Sequence, residues 1–342
     1  MTTEEPLTDL AFWHERPVLI TGCTGLLGSW LADTLVSAGA LVVGLVRDEV
    51  PQSQLVRSAT IARIRVVHGD VTDYATVERA INEYEVETVF HLAAQTIVGI
   101  ADRAPMSTFE SNIRGTWVTL EAARRSPTVR RVVVASSDKA YGTQPVLPYT
   151  EDMPLRGQHP YDVSKSAADL IAQTYAITYG LPVAVTRCAN LYGGGDLNWN
   201  RLIPGTIRSA LQGQRPIIRS DGTFLRDYLY VRDAVQAYMM LAQALDRDEL
   251  CGEAFNCGTD GPMSVLEMTR MILSLSPHPG LEPVVLDEVR NEIKDQYLDS
   301  SKIRREVGWA PGYSRADSLR QTIAWYAHHL GIPYAASAGA SA

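Results

Sequence analysis

The stretch Thr21-Gly22-Cys23-Thr24-Gly25-Leu26-Leu27-Gly28 restricts what this chain can fold into more than any other. It follows a short apolar run, Pro17 to Thr21, and opens LLGSWLADTLVSAG, a segment of helical period that ends on Gly39. Glycines between a strand and a helix allow a tight turn, close backbone approach to a bound anion, and close helix–strand packing. The helix N-terminus adds unpaired N–H groups and a partial positive charge, which suit a pyrophosphate. A glycine triplet alone says little. In this strand–turn–helix setting it predicts a βα unit built to hold a nucleotide.

The rest of the first half repeats the theme. Apolar, β-branched runs at 40–46, 64–70, 87–94, 130–137 and 181–187 predict further strands, with helical-period segments such as DYATVERAINEYE between them. Strands written as nearly unbroken apolar runs suit a parallel sheet covered by helices on both faces. The predicted fold is therefore α/β, a doubly wound parallel sheet (Rossmann) with a smaller C-terminal α/β domain. At 342 residues the chain is long enough for both. Beyond residue 186 Gly and Pro become frequent and the rhythm loosens, although helical segments recur at 202–212, 232–245, 264–275 and 315–329. Residues 1–186 are read as the nucleotide-binding domain and 187–335 mainly as a substrate domain. Segments at about 226–260 are expected to return to the first domain, and 336–342 to form a frayed tail.

Composition narrows the partners. With 31 basic against 39 acidic residues the net charge is −8, which argues against a surface built to neutralise nucleic-acid phosphates. Cys23, Cys188, Cys251 and Cys257 show no metal-ligand or disulfide spacing, so no metal is expected and reduced apolar packing is. The sequence contains no run long and apolar enough for a membrane span, and the acidic start lacks a signal core. The expected setting is the cytoplasm, with no membrane and no nucleic acid as partner.

Further residues belong with the glycine loop. Asp70-Val71 follows the third strand, where an adenine edge would lie, and Leu92-Ala93-Ala94-Gln95 ends the fourth with small side chains. After the second strand, where an acidic residue would bind a ribose hydroxyl, stand Val46, Arg47 and Asp48. Arg47 suits a 2′-phosphate and Asp48 a ribose hydroxyl, so NAD and NADP are both compatible with this segment. His68 and His91 read as structural, without a second ligand at metal spacing. Tyr161 and Lys165 stand one helical turn apart, and an ammonium there, together with a positive nicotinamide ring, favours the phenolate. Ser136-Ser137-Asp138-Lys139-Ala140-Tyr141-Gly142 closes the fifth strand, where ligands gather in such sheets.

Taken in order, TGCTGLLG, HLAAQ, SSDKAYG, YDVSK and RCANLYGGGD resemble the extended short-chain dehydrogenase/reductase superfamily over roughly residues 17 to 330. Within it the chain is most similar to nucleotide-sugar 4,6-dehydratases, the CDP-glucose group above all. The pointers are GSWL at 28–31, SDK before Ala140-Tyr141, RLIP at 201–204 and EIKDQYLDSSKIRREVGW at 292–309. The resemblance implies Tyr161 as base at the sugar 4-hydroxyl, Ser137 bonded to the same oxygen, and Lys165 on the nicotinamide ribose. It implies Asp138 as the acid for the C6 hydroxyl. Lys139, where many relatives carry Glu, is either the C5 base or a binding residue. Asn190 is matched to diphosphate binding, Arg226 to the diphosphate or ribose, and Arg201 and Leu202, like Ser137, to substrate binding. LRDYLYVRD (225–233) lacks the Pro-Trp pair usual in the CDP-glucose group, so the base stays open. The segment 96–105 is expected over the site, with Arg103 near the phosphates. A C4-epimerase or uronate decarboxylase would share Ser137, Tyr161 and Lys165 but have no use for Asp138-Lys139; a cofactor-binding regulatory protein would need none of them. The apolar faces of 112–124 and 161–179 resemble a dimerising helix pair, implying a homodimer.

Overall fold

The computed structural model describes residues 9–288 and 293–334. The tail expected at 336–342 and Glu292 of the 292–309 motif lie outside the described residues. The first half alternates as β1 (Pro17–Thr21), α1 (Leu26–Ser37), β2 (Leu41–Val46), α2 (Gln54–Arg57), β3 (Arg65–His68), α3 (Tyr74–Glu83) and β4 (Thr88–His91). It continues through α4 (Val98–Arg103), α5 (Pro105–Phe109), α6 (Gly115–Arg125), β5 (Arg131–Ala135), α7 (Pro160–Tyr179) and β6 (Val183–Cys188). The predicted strands are present, trimmed at their ends.

These strands pair in parallel, with Leu19 of β1 opposite Val43 of β2 and Val89 of β4. Along β1 the side chains alternate between two cores: Val18 and Ile20 join one, Leu19 the other. Both faces are buried, which is why the strands read as continuous apolar runs. Leu31 and Leu35 of α1 pack into the first core, and Val77 and Ile81 of α3 with Ala172 and Ala176 of α7 into the second.

After β6 the chain forms β7 (Asn190–Tyr192), α8 (Leu202–Leu211), β8 (Ile217–Ile218), β9 (Leu225–Arg226), β10 (Tyr228–Tyr230) and α9 (Val231–Ala244). Then follow β11 (Ala254–Cys257), β12 (Met263–Ser264), α10 (Val265–Ser274), β13 (Val284–Val285), α11 (Ser301–Val307) and α12 (Arg315–Leu330). Strand β11 adds to the edge of the large sheet, giving the order β11-β6-β5-β4-β1-β2-β3. Helix α9 contributes Ala234, Val235 and Tyr238 to the core that holds α1. The other short strands pair outside that sheet: β7 with β10, β9 with β12, and β8 with β13. Strand order reverses between β1 and β4, so a crevice opens beyond their C-terminal ends.

Candidate active site

That crevice is one end of a cleft of ≈ 1820 Å³ between the large sheet and the C-terminal elements. Gly22, Thr24, Gly25, Leu26, Leu27 and Gly28 line its floor with Arg47, Asp48, Asp70 and Val71. Leu92, Ala93, Ala94 and Gln95 line it too, as do Ser137, Asp138, Lys139, Tyr161 and Lys165. Asn190, Arg201, Leu202 and Arg226 face it from the C-terminal side. The residues singled out from the sequence for chemistry thus reach one cleft, Arg103 excepted.

The glycine turn is held by contacts that exclude a side chain. Gly22 has φ +73°, and a Cβ there would sit 2.8 Å from Ala93 N. A Cβ on Gly28 would collide with the Gly22 carbonyl and lie 2.8 Å from Cys23 Cα. Gly25 caps α1 without a side-chain hydrogen bond, so the first N–H groups of the helix stay available to a ligand. At the far end Arg47 Nε donates to Asp48 at 2.7 Å, and its guanidinium lies 3.8 Å from Asp70. The cradle fits a dinucleotide, with pyrophosphate at α1 and a ribose beside two carboxylates.

His91 welds the two strands that flank the crevice. Thr21 Oγ1 accepts from Leu92 N and Ala93 N, at 3.1 and 3.2 Å, so its own proton points to His91 Nδ1, 3.0 Å away. His91 Nε2 therefore carries the ring proton and donates to Thr116 Oγ1 at 3.0 Å. Burial, with Lys165 nearby, pushes its pKa down to about 3, so the ring is neutral and structural.

The reactive groups meet at the junction of β5 and α7. Pro160 begins α7 at its first turn, and Tyr161 and Lys165 follow on its inner face. Lys165 Nζ donates to Ala135 O at 2.7 Å, and burial brings its pKa down to about 8. Tyr161 has Ser137 and Arg201 for neighbours. Burial pushes its phenol up to about 12, outweighing the Ser137 hydroxyl and Arg201, which pull the other way. One of the three N–H donors of Lys165 goes to the Ala135 carbonyl, and among the described residues none goes to the phenol.

Asp138 is buried and accepts from Ser137 Oγ at 3.0 Å through Oδ1, while among the described residues Oδ2 is buried without a partner. Burial raises its pKa to about 6, against the opposing pull of Lys139. Lys139 is half-buried and reaches Gln296 Oε1 at 3.4 Å.

The second half of the cleft is lined by Arg201, Arg208, Arg215, Arg219 and Arg226 together with Asp196, which Arg201 holds at 3.1 Å. A chain of net negative charge therefore keeps a basic pocket. Arg226 is buried and donates to the carbonyls of Lys294 and Ile293, at 2.6 and 2.7 Å, which fixes its guanidinium. Asn190 Nδ2 donates to Asp227 O at 3.2 Å. Arg103 is not among the lining residues; Thr96 to Gly99 and Asp102 of the same segment are. Sequence reasoning missed Arg208 and Arg219, lone cations without a motif. It also missed Asn112, in a π-helical turn (Glu110–Arg114), which bonds Gln95 N at 2.7 Å and Ser164 Oγ at 2.9 Å.

Fold, glycine turn and Ser–Tyr–Lys grouping define an extended short-chain dehydrogenase/reductase. Residues 19–322 match the family described as GDP-mannose 4,6 dehydratase, and the chain belongs to that family. CDP-glucose 4,6-dehydratase of Salmonella typhimurium is 30% identical over 337 residues, spanning 94% of this chain and 93% of that protein. The dTDP-glucose 4,6-dehydratase DesIV of Streptomyces venezuelae, solved with NAD bound, superimposes with a TM-score of 0.81 at 28% identity. That match covers 92% of this chain and 98% of DesIV. UDP-glucose 4-epimerase of Thermotoga maritima superimposes with a TM-score of 0.83 at 27% identity, covering 92% and 99%. Dehydratase and epimerase share this fold, so only the site separates them.

Proposed function

We propose that the protein is an NAD-dependent nucleotide-sugar 4,6-dehydratase, with CDP-glucose as the favoured substrate. The observation that carries this reading is Asp138 and Lys139 in the same cleft as Ser137, Tyr161 and Lys165. NAD is favoured over NADP because Arg47 is already occupied by Asp48, and the Asp70 carboxylate beside it would repel a 2′-phosphate.

Bound NAD supplies the hydride acceptor at C4 and later the hydride donor at C6. Tyr161 takes the 4-hydroxyl proton, with Ser137 on the same oxygen. With a pKa of about 12, Tyr161 needs more positive charge than Arg201 provides, and an oxidised nicotinamide carries it. The 4-keto group acidifies C5–H. Lys139, as a neutral amine, takes that proton to leave an enolate, and Asp138 protonates the C6 hydroxyl, which departs as water. Lys139 returns a proton to C5 as hydride reaches C6. Arg226, Arg201 and Asn190 hold the diphosphate, arginine forks suiting phosphate oxygens. The enzyme acts as a homodimer in the cytoplasm, paired through α6 and α7.

Incubation with CDP-, UDP-, dTDP- and GDP-hexoses and NAD tests this by mass spectrometry. The expected product is lighter by one water. A product of unchanged mass would make the protein an epimerase, and cofactor binding without any product would make it regulatory.

A further inference from the structure

We propose that Gln296 is a positioning residue for Lys139, its side-chain amide holding the lysine amine in both of its protonation states. This rests on the reading of Lys139 as the C5 base. Gln296 is fully buried, and its backbone is pinned beside β9: its N–H donates to Leu225 O at 3.0 Å, and it forms a parallel bridge with Arg226. The side chain therefore starts from a fixed point. Its Oε1 lies 3.4 Å from Lys139 Nζ, a contact across 157 positions of sequence. Among the described residues its Nε2 is buried without a hydrogen-bond partner.

The chemistry follows from what an amide is. Oxygen and nitrogen of a glutamine are nearly isosteric, and rotation about the last bond exchanges them. With Oε1 toward Lys139 the amide accepts from the ammonium; with Nε2 toward it, the amide donates to the lone pair of the neutral amine. Neither orientation breaks another side-chain bond of Gln296, because the Lys139 contact is the one its amide makes among the described residues. A carboxylate at this place would serve the ammonium alone and hold the base in its inactive form. An apolar side chain would hold neither.

The charges around Lys139 leave this contact to decide its orientation. Asp138 faces it from its own turn, and Asp162 from α7, with His159 beyond. From the β9 side come Arg226 and Asp227, both acting on Asp138. Asp295, next to Gln296, is engaged by Leu225 N at 3.1 Å. Among the described residues none of these carboxylates forms an ion pair with Lys139.

The test follows solvent deuterium entering C5 of the product across pH, in the unaltered enzyme, Gln296→Glu, Gln296→Met and Lys139→Met, each with NAD and the nucleotide sugar found active. Reduction of NAD in the first turnover reports C4 oxidation and serves as the check of folding. Gln296→Glu is expected to move the acidic limb of deuterium entry up by about one unit or more. Gln296→Met should slow entry about tenfold to a hundredfold without moving the limb upward, and C4 oxidation should persist in both. Deuterium entry that keeps its rate and limb in both Gln296 variants, with Lys139→Met blocked, would overturn the positioning role alone. Full entry in Lys139→Met would instead overturn the base on which it rests. If Gln296→Glu does not fold, an unchanged rate in Gln296→Met is sufficient to reject the proposal.

Discussion

The two oxygens of Asp138 have different fates: Ser137 donates to Oδ1, while Oδ2 is buried with nothing to receive from among the described residues. An acceptor so placed favours the protonated carboxyl, and burial raises the pKa from 3.8 to about 6. Since the folded pKa lies above the unfolded one, the group's contribution to stability is present below about pH 4 and lost as pH rises through about 6. Asp138→Asn, neutral at all pH, should therefore melt with the unaltered protein near pH 4 and about 1–3 °C above it at pH 8. Scanning calorimetry at the two pH values checks this; coincident curves at pH 8 would mean the ionised carboxylate costs nothing. The same substitution removes the proposed acid and should slow water loss by about 10²- to 10⁴-fold. C4 oxidation would continue, so reduced cofactor and a 4-keto sugar should accumulate. A gain in stability paired with a loss of turnover is the expected mark of a carboxylate kept for chemistry.

Among the elements, α1 depends most closely on single atoms. A Cβ on Gly28 would strike the Gly22 carbonyl and the Cys23 backbone, neither of which can move without opening the turn. Gly180, which closes α7 with φ +66°, has nothing within 4 Å of an added Cβ. Gly180→Ala should therefore cost only the left-handed backbone, about 1–2 kcal/mol, and leave NAD affinity unchanged. Gly28→Ala should cost about 1–3 kcal/mol and also weaken NAD at least about tenfold, because the helix terminus that faces the pyrophosphate is displaced. Thermal melts and cofactor titration separate the two; equal NAD affinity in both variants would remove the glycine turn from the binding site. The same contrast explains what could be read in advance. Strands β1 to β6 announce themselves because burial on both faces forces apolar runs, and the glycine turn because no other residue fits. The Glu110–Arg114 π turn leaves no mark, since one extra residue per turn barely disturbs a helical pattern. Two-residue ladders such as β8 with β13 are too short to show a period. Asp138 and Lys139 were legible as part of one motif and Gln296 stood in another, EIKDQYLDSSKIRREVGW, but their meeting was not legible, because only the folded chain brings Gln296 to Lys139. The direction of the Lys165 ammonium was not legible for a related reason. Spacing placed Lys165 one turn away but could not show that its ammonium turns toward Ala135 O.

At the scale of the whole molecule, α7 carries two faces with different tasks. Tyr161, Lys165, Ala168, Ala172 and Ala176 point inward, while Val163, Leu170 and Ile177 recur every seventh residue on the outside, 37%, 55% and 80% exposed. That interval is the repeat of a helical seam, and Trp117 of α6, 43% exposed, extends the apolar surface onto the neighbouring helix. A second copy offering the same stripe would cover it by two-fold symmetry and give a four-helix contact. Leu170 and Ile177 together would gain about 3–6 kcal/mol on full burial, so charges there should be decisive. The unaltered protein should sediment at twice 37.5 kDa, and the double variant Leu170→Glu, Ile177→Glu at 37.5 kDa. Because the helix that a second copy would cover also carries Tyr161 and Lys165, the monomer should lose turnover together with assembly, and dilution of the unaltered protein should lower specific activity in parallel. Sedimentation of the unaltered protein at 37.5 kDa under assay conditions would separate the seam from the site, leaving the stripe without a partner and α7 held by its inner face alone.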